Sequence, residues 1–347
     1  MKKGFTFIEL MVVIVLILIS SSLAIPITYN FFRESATRDQ ARNIESSLRN
    51  SQSSAITGKG DNSSGIRFSR ASYTVFEGES YESRREEKDM TLFFPVAVLV
   101  SGAREVSFQK MTGLPVFSGM IGHWEFNEEA GDIVYDSSRP FDRNNGTVLG
   151  TCARTEGKDG LSLEFSGDTY VNVLNSQNLN PEGEITISVW LNISSVGLIK
   201  IIGKGDLGQG TGYGLSISED GSVVFSLGNG SSAEVVRNNY GPELLGEWTH
   251  LAAVWDGQTL KQYINGELQP ETKSFGGSIG SSEDNLILGQ GLSGKIDDVR
   301  LYSYAFSGED VKTDYLARKD DVSIGLKFGE NRRYITINSQ GRIDTID

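Results

Sequence analysis

The chain opens on an apolar stretch and then changes period twice. Leu10 to Phe32 is a run of 23 residues without a charge. As a helix it reaches roughly 34 Å, enough for a ~30 Å hydrocarbon core. From Arg33 the helical period continues with charges. Arg33, Glu34, Arg38, Asp39, Arg42, Glu45 and Arg49 alternate in sign, and Glu34/Arg38 and Glu45/Arg49 are i,i+4 pairs in the favourable order. Ala41, Ile44, Leu48 and Ala55 fall on one stripe, predicted to pack on a sheet. Gly58-Lys59-Gly60-Asp61-Asn62 ends the helix.

The period then drops to two. Gly65–Phe68 and Tyr73–Phe76 read as a hairpin, Ser80–Asp89 as a charged loop, and Leu92–Val100 and Val106–Gln109 as two more strands. Near the end, Val322–Phe328 and Tyr334–Ile337 alternate as two strands around Gly329-Glu330-Asn331. Residues 119–320 hold about a dozen short alternating runs separated by Gly, Asn and Asp, among them Leu161–Phe165, Ile185–Trp190, Tyr213–Ile217, Ser222–Leu227 and Leu251–Trp255. That density points to a two-sheet sandwich. No helical period of useful length interrupts it before Gly308–Val311, read as a short terminal turn.

Composition sharpens this division. At 347 residues the chain exceeds one ordinary core. Its 40 Gly against 7 Pro suit a turn-rich β protein. The formal charge of −13 is unevenly spread: residues 119–321 hold 30 Asp and Glu against 14 Lys and Arg, whereas 1–118 stand at +2 and 322–347 at +1. A block at −16 repels phosphate backbones, so nucleic acid is not an expected partner. The single cysteine, Cys152, excludes an intrachain disulfide and reads as a small hydrophobe.

The first ten residues carry the most specific signal. Lys2 and Lys3 hold the N-terminus cytoplasmic by the positive-inside rule, leaving the bulk across the membrane. Ser22-Leu23-Ala24 offers a cleavage site for an ordinary secretory signal, but Glu9 at the head of the apolar run argues against that reading. A carboxylate there is expensive and needs a partner. Lys3-Gly4-Phe5-Thr6-Phe7-Ile8-Glu9-Leu10 resembles the class III signal of type IV pilins and pseudopilins. The resemblance implies cleavage between Gly4 and Phe5 by prepilin peptidase, N-methylation of Phe5, and a pairing of Glu9 with the α-amino group of Phe5, its own or a neighbour's, during filament assembly. Pro26 matches the helix-kinking proline usual at that spacing. The hairpin at 65–81 and the closing Ser339–Ile343 resemble minor pseudopilins of the H type.

The acidic block resembles the laminin-G-like, concanavalin A-like family. The matching residues run in order: His123-Trp124-Glu125-Phe126, Asp136-Ser137-Ser138, Asn144–Thr147, Leu163–Val171, Ile187–Trp190, Gly246–Ala252, Tyr263–Glu267 and Gly294–Tyr302. Trp190, Trp248 and Trp255 read as core. Asp136, Asp297 and Asp298 are candidate ligands for a structural calcium, a hard ion that suits carboxylate and carbonyl oxygens. Two histidines, His123 and His250, do not make a zinc cluster. Glu182-Gly183-Glu184 sits in a turn beside Pro181, and Asp297-Asp298 would diverge on an extended strand. No acid/base pair of a glycanase emerges, and the chain is read as a non-enzyme.

The expected organisation is a leader at 1–4, an assembly helix at 5–57, an α+β pilin head split between 58–118 and 322–347, and an all-β jelly-roll insert at 119–321. The expected role is that of a minor pilin or pseudopilin. It would be anchored once in the bacterial inner membrane, then built with other pilin subunits into a filament that displays a module for a glycan or surface ligand. The alternatives are a type II secretion pseudopilin recruiting cargo, a DNA-uptake pilin, disfavoured by the acids of Gly341–Asp347, and a surface glycanase.

Overall fold

A computed structural model describes residues 7–58, 63–69, 71–95, 98–138, 143–239, 245–317 and 321–346, without the side chains of 18 and 20–30. Helix α1, Phe7–Thr57, is 51 residues long and ends at Gly58 in the left-handed region (φ 63°), as the sequence signals. Its predicted stripe is buried: Ala41, Ile44, Leu48 and Ala55 are at most 1% exposed. Among the described residues no helix is long and apolar enough to cross a membrane. The expected span at 10–32 includes the side chains left out above.

Among the described residues there are four sheets. The first has the order Met90–Phe93, Ser72–Glu77, Ser64–Phe68, Glu105–Phe108, Pro115–Phe117. The second has the order Ile343–Ile346, Asn331–Asn338, Asp321–Phe328, Leu99–Gly102. The C-terminal strands therefore pair with a strand that precedes the insert, Ile324 opposite Gly102. The expected single strand Leu92–Val100 is two strands in two sheets. Pro95 lies at the break, where a residue without an N–H cannot extend a ladder.

The other two sheets form the sandwich, nine-stranded and eight-stranded. Alternation assigns their faces. In Ile185–Ile193, Ile187 lies opposite Ala253 and Val189 opposite Leu251, and all four are interior. Trp255 is fully buried there, as expected. Trp248 is only half-buried, in the turn before Thr249–Trp255, so its core assignment fails. The terminal turn at 308 is a nine-residue helix, α2 (Gly308–Leu316). Its capping box pairs Ser307 with Asp310, an acid with a shorter side chain than the usual Glu or Gln.

A second apolar cluster is shared between head and insert. It runs from Ala41, Ile44 and Leu48 of α1 through Val106, Ile324 and Ile335 of the head sheets. It continues to Ala252, Val254, Tyr302 and Phe306, on or beyond the outward face of the nine-stranded sheet, and to Val311 of α2. The insert is built into the head as a core, not tethered to it.

Candidate functional site

The sandwich has two outer faces, and they differ in chemistry. On the nine-stranded sheet, the rows Arg300–Ser188–Ala252 and Asp297–Trp190–His250 point outward. They meet α2. Arg300 donates through Nε to Asp298 Oδ1 and through Nη1 to Asp314 Oδ1, both at 2.9 Å. Asp314 also accepts from the Ser188 hydroxyl and lies 3.3 Å from His250 Nε2. His123 Nε2 is 2.8 Å from Asp298 Oδ1. Burial alone would push the Asp314 carboxyl up, but Arg300, with His250 and Ser188, holds it well below the usual carboxylate range. Burial also opposes the Arg300 charge, and Asp298 and Asp314 outweigh it and hold its pKa above the ordinary value. This chain of charges joins sheet to helix.

Beside it lies a cavity of about 320 Å³ lined by Lys158, Trp190, Asp297, Asp298, Tyr315 and Leu316, among others. Trp190 is not an interior tryptophan. It sits on the outward face, stacked on Tyr315 with ring centroids 5.5 Å apart and Lys158 Nζ 4.6 Å from its ring. Asp297 and Asp298 do not diverge as an extended strand would have them. Asp298 has φ +48° and the ladder with Ile185–Ile193 slips at this point, so both residues border one cavity.

The predicted calcium ligands do not share a shell. Asp136 is fully buried and accepts three backbone N–H groups, from His123, Ser138 and Asn144, each at 2.9 Å. It ties the backbone of His123, Ser138 and Asn144 to one carboxylate. Asp297 Oδ2 accepts from the Lys158 backbone N–H at 2.8 Å. Asp298 is held by His123 and Arg300, whose guanidinium repels a divalent cation. The three carboxylates thus do not fit calcium. Among the described residues no group of three or more His, Cys, Asp and Glu is placed to hold a metal ion. Gly4 and Phe5 lie outside the described residues. Glu9 is exposed in the first turn of α1. Cys152 is half-buried against the sandwich interior, and burial pushes its thiol up, away from reactivity.

The eight-stranded sheet leaves its outer face open. Gly203 pairs with Gly214 and Gly214 with Ser226, while Lys200 pairs with Ser216. These small residues floor a trough of about 430 Å³, walled by Lys200 and the loop Gly205-Asp206-Leu207. A Cβ at Gly214 would make ordinary contacts, 3.6 Å from the Ile202 carbonyl oxygen and 3.7 Å from Leu207 Cδ1, so a small side chain fits there. Asp206 is occupied locally, accepting from the Gly208 N–H at 2.8 Å and from Gln209 Nε2 at 3.0 Å. The sequence reading passed over this face. Its signal is a pair of lysines in an otherwise apolar strand, Ile199-Lys200-Ile201-Ile202-Gly203-Lys204, one turned out and one buried.

Comparison with known proteins matches both parts of this architecture. Residues 1–25 match the prokaryotic N-terminal methylation motif. Residues 165–312 match the Concanavalin A-like lectin/glucanases superfamily. No curated protein matches the chain. Among solved structures, it is similar to domain 4 of AbnA, a GH43 extracellular arabinanase from Geobacillus stearothermophilus, in complex with arabinotriose. That match has 21% identity and a TM-score of 0.46 and covers 57% of this chain and 98% of that one. It is also similar to the binding domain of Paraclostridial Mosquitocidal Protein 1, with 16% identity and a TM-score of 0.46, covering 57% of this chain and 52% of that one. A third is the Botulinum Neurotoxin serotype G binding domain, with 14% identity and a TM-score of 0.45, covering 56% and 50%. The chain spans nearly all of the first and about half of the other two. The chain therefore carries the N-terminal methylation motif of type IV pilins and, inserted in its head, a domain of the concanavalin A-like superfamily.

Proposed function

We propose that this chain is a minor type IV pilin or pseudopilin that carries a glycan- or surface-binding module on a filament. The observation that carries this reading is the asymmetry of the sandwich. One outer face is covered by α2 and the head through the shared core, and the other carries a trough bordered by Lys200 and Leu207. A module fixed by its back presents its front. The processing signal supports a membrane-anchored precursor that assembles with other pilin subunits after prepilin peptidase cleavage.

Binding suits the trough better than catalysis. Glycoside hydrolysis in most families uses two carboxylates flanking the bond, and among the described residues Asp206 is the one carboxylate lining this trough. The test is the full chain in detergent, applied to a broad glycan array beside its Gly214→Phe variant. Binding to a defined glycan class that the variant loses, at unchanged melting temperature, supports the reading. Glycan binding that Gly214→Phe leaves intact would move the site off this face. Absence of any glycan binding would sink the lectin role and favour cargo recruitment in a secretion system.

A further inference from the structure

Lys204 ends the strand Ile199–Lys204 and is 1% exposed. Its ammonium does not reach solvent. Nζ donates to Asn175 Oδ1 at 2.7 Å, to the Ser282 carbonyl at 2.9 Å and to the Asp284 carbonyl. Three acceptors require three N–H groups, which only the charged amine has. Burial pulls the Lys204 pKa down, and the carboxylates of Asp284 and Glu283 oppose it. The oxygens come from two loops that leave the same end of one ladder, where Val173 lies opposite Leu286. One follows Tyr170–Val173 and the other precedes Leu286–Gln290.

The surroundings are built to keep those oxygens in place. Asn285 Oδ1 accepts the Asn175 N–H, and Asn180 Oδ1 accepts the Ser282 N–H, both at 3.0 Å. Asn175 Nδ2 donates to Glu283 Oε2 at 2.8 Å. An amide oxygen and two main-chain carbonyls are hard donors of the kind calcium takes, and the Glu283 and Asp284 carboxylates lie beyond them, accepting from Asn175 Nδ2 and from the Ser282 hydroxyl. Backbone and amide oxygens carry no signature in the sequence, whereas the acids that suggested a cation there were Asp136, Asp297 and Asp298.

We propose that this is a cation site filled by the protein's own lysine, and that removing the ammonium opens it to soluble calcium. Lys204 thus does covalently what a bound ion does reversibly. It clamps the two loops and fixes the start of Gly205-Asp206-Leu207, the wall of the trough. The module holds its shape whether or not calcium is present outside the cell.

The test compares melting of the full chain in detergent with excess chelator and with millimolar calcium, for the wild type, Lys204→Ala and Lys204→Met. The wild type is expected to melt at the same temperature in both. Lys204→Ala should melt about 6 °C or more lower in chelator, since a buried, hydrogen-bonded charge is lost, and regain most of that in calcium. Lys204→Met should fall and not recover, because its apolar stem still fills the cage. If Lys204→Ala does not fold in chelator, its folded yield on refolding with calcium gives the same readout. Calcium raising the wild-type midpoint, or failing to restore Lys204→Ala in either measurement, overturns the proposal.

Discussion

Arg300 and Asp314 lie 2.9 Å apart at the seam between the nine-stranded sheet and α2, with side chains only 2% and 7% exposed. Neither is at a ligand-facing surface. Removing one partner leaves the other charge buried and uncompensated, which costs about 3–5 kcal/mol. Arg300→Met and Asp314→Ala are each expected to destabilise by that amount in denaturant unfolding. The double variant Arg300→Met/Asp314→Leu, with both charges gone, should recover part of the loss.

The same pair sets an acid limit. The Asp314 carboxyl is held well below its ordinary value of 3.8. A depressed folded pKa means that the unfolded chain binds the proton more readily. The stabilisation is therefore complete above about pH 4 and drains away as pH falls through the low folded value. Melting temperature measured from pH 5 down to 2 should drop more steeply for the wild type than for Asp314→Asn.

Three loops at one end of the sandwich interlock through glycine backbones. Gly228 N–H donates to the Gly212 carbonyl at 2.9 Å and Gly280 N–H to the Gly228 carbonyl at 2.8 Å. A Cβ on Gly228 would stand 2.1 Å from the Gly210 carbonyl oxygen. Gly228→Ala is expected to lower stability by about 1–3 kcal/mol, the range for overpacking a tight interior. Gly214→Ala on the same sheet, whose Cβ would meet its neighbours at ordinary contact distance, should change it by less than about 0.5 kcal/mol. Thermal melts of the two variants check the contrast.

Processing is read at the N-terminus. Mass spectrometry of the mature chain is expected to place its start at Phe5, methylated. A bulky substitution at Gly4 should leave the precursor intact. Glu9→Ala should still be cut and should fail to enter filaments, scored by the subunit's loss from sheared material.

Much of the fold was legible because its signals are local. The α1 stripe, the 65–76 hairpin and the sandwich strands at 185, 213 and 251 follow from period alone. The break at Pro95 was legible in principle, since the residue that cannot donate is printed in the sequence. What periodicity could not give is which outward-facing residues are covered. Trp190 and Trp255 both alternate within strands, yet one lies inside the sandwich and the other lies under Tyr315 of α2. Covering depends on how α2 returns across the sheet, a relationship between residues more than a hundred positions apart. Asp136 shows the same limit. An aspartate among Gly and Asn has the composition of an ion site, and its three N–H partners, one in the strand Met120–Trp124 and two in the following segments, are not revealed by the sequence. Lys204 escaped because a lysine in a strand reads as solvent-facing until its three oxygens are seen.

The shared core between head and sandwich has a consequence for affinity. A module on a flexible tether searches a volume and loses freedom each time it engages. Here Val254 and Tyr302 are packed in the same apolar cluster as Ile44 and Ile324, so the module has no independent swing to lose. In a minor subunit, where copies are few and avidity adds little, that rigidity would bear on each single engagement: a ligand meeting the face would lose its own freedom but cost the module none.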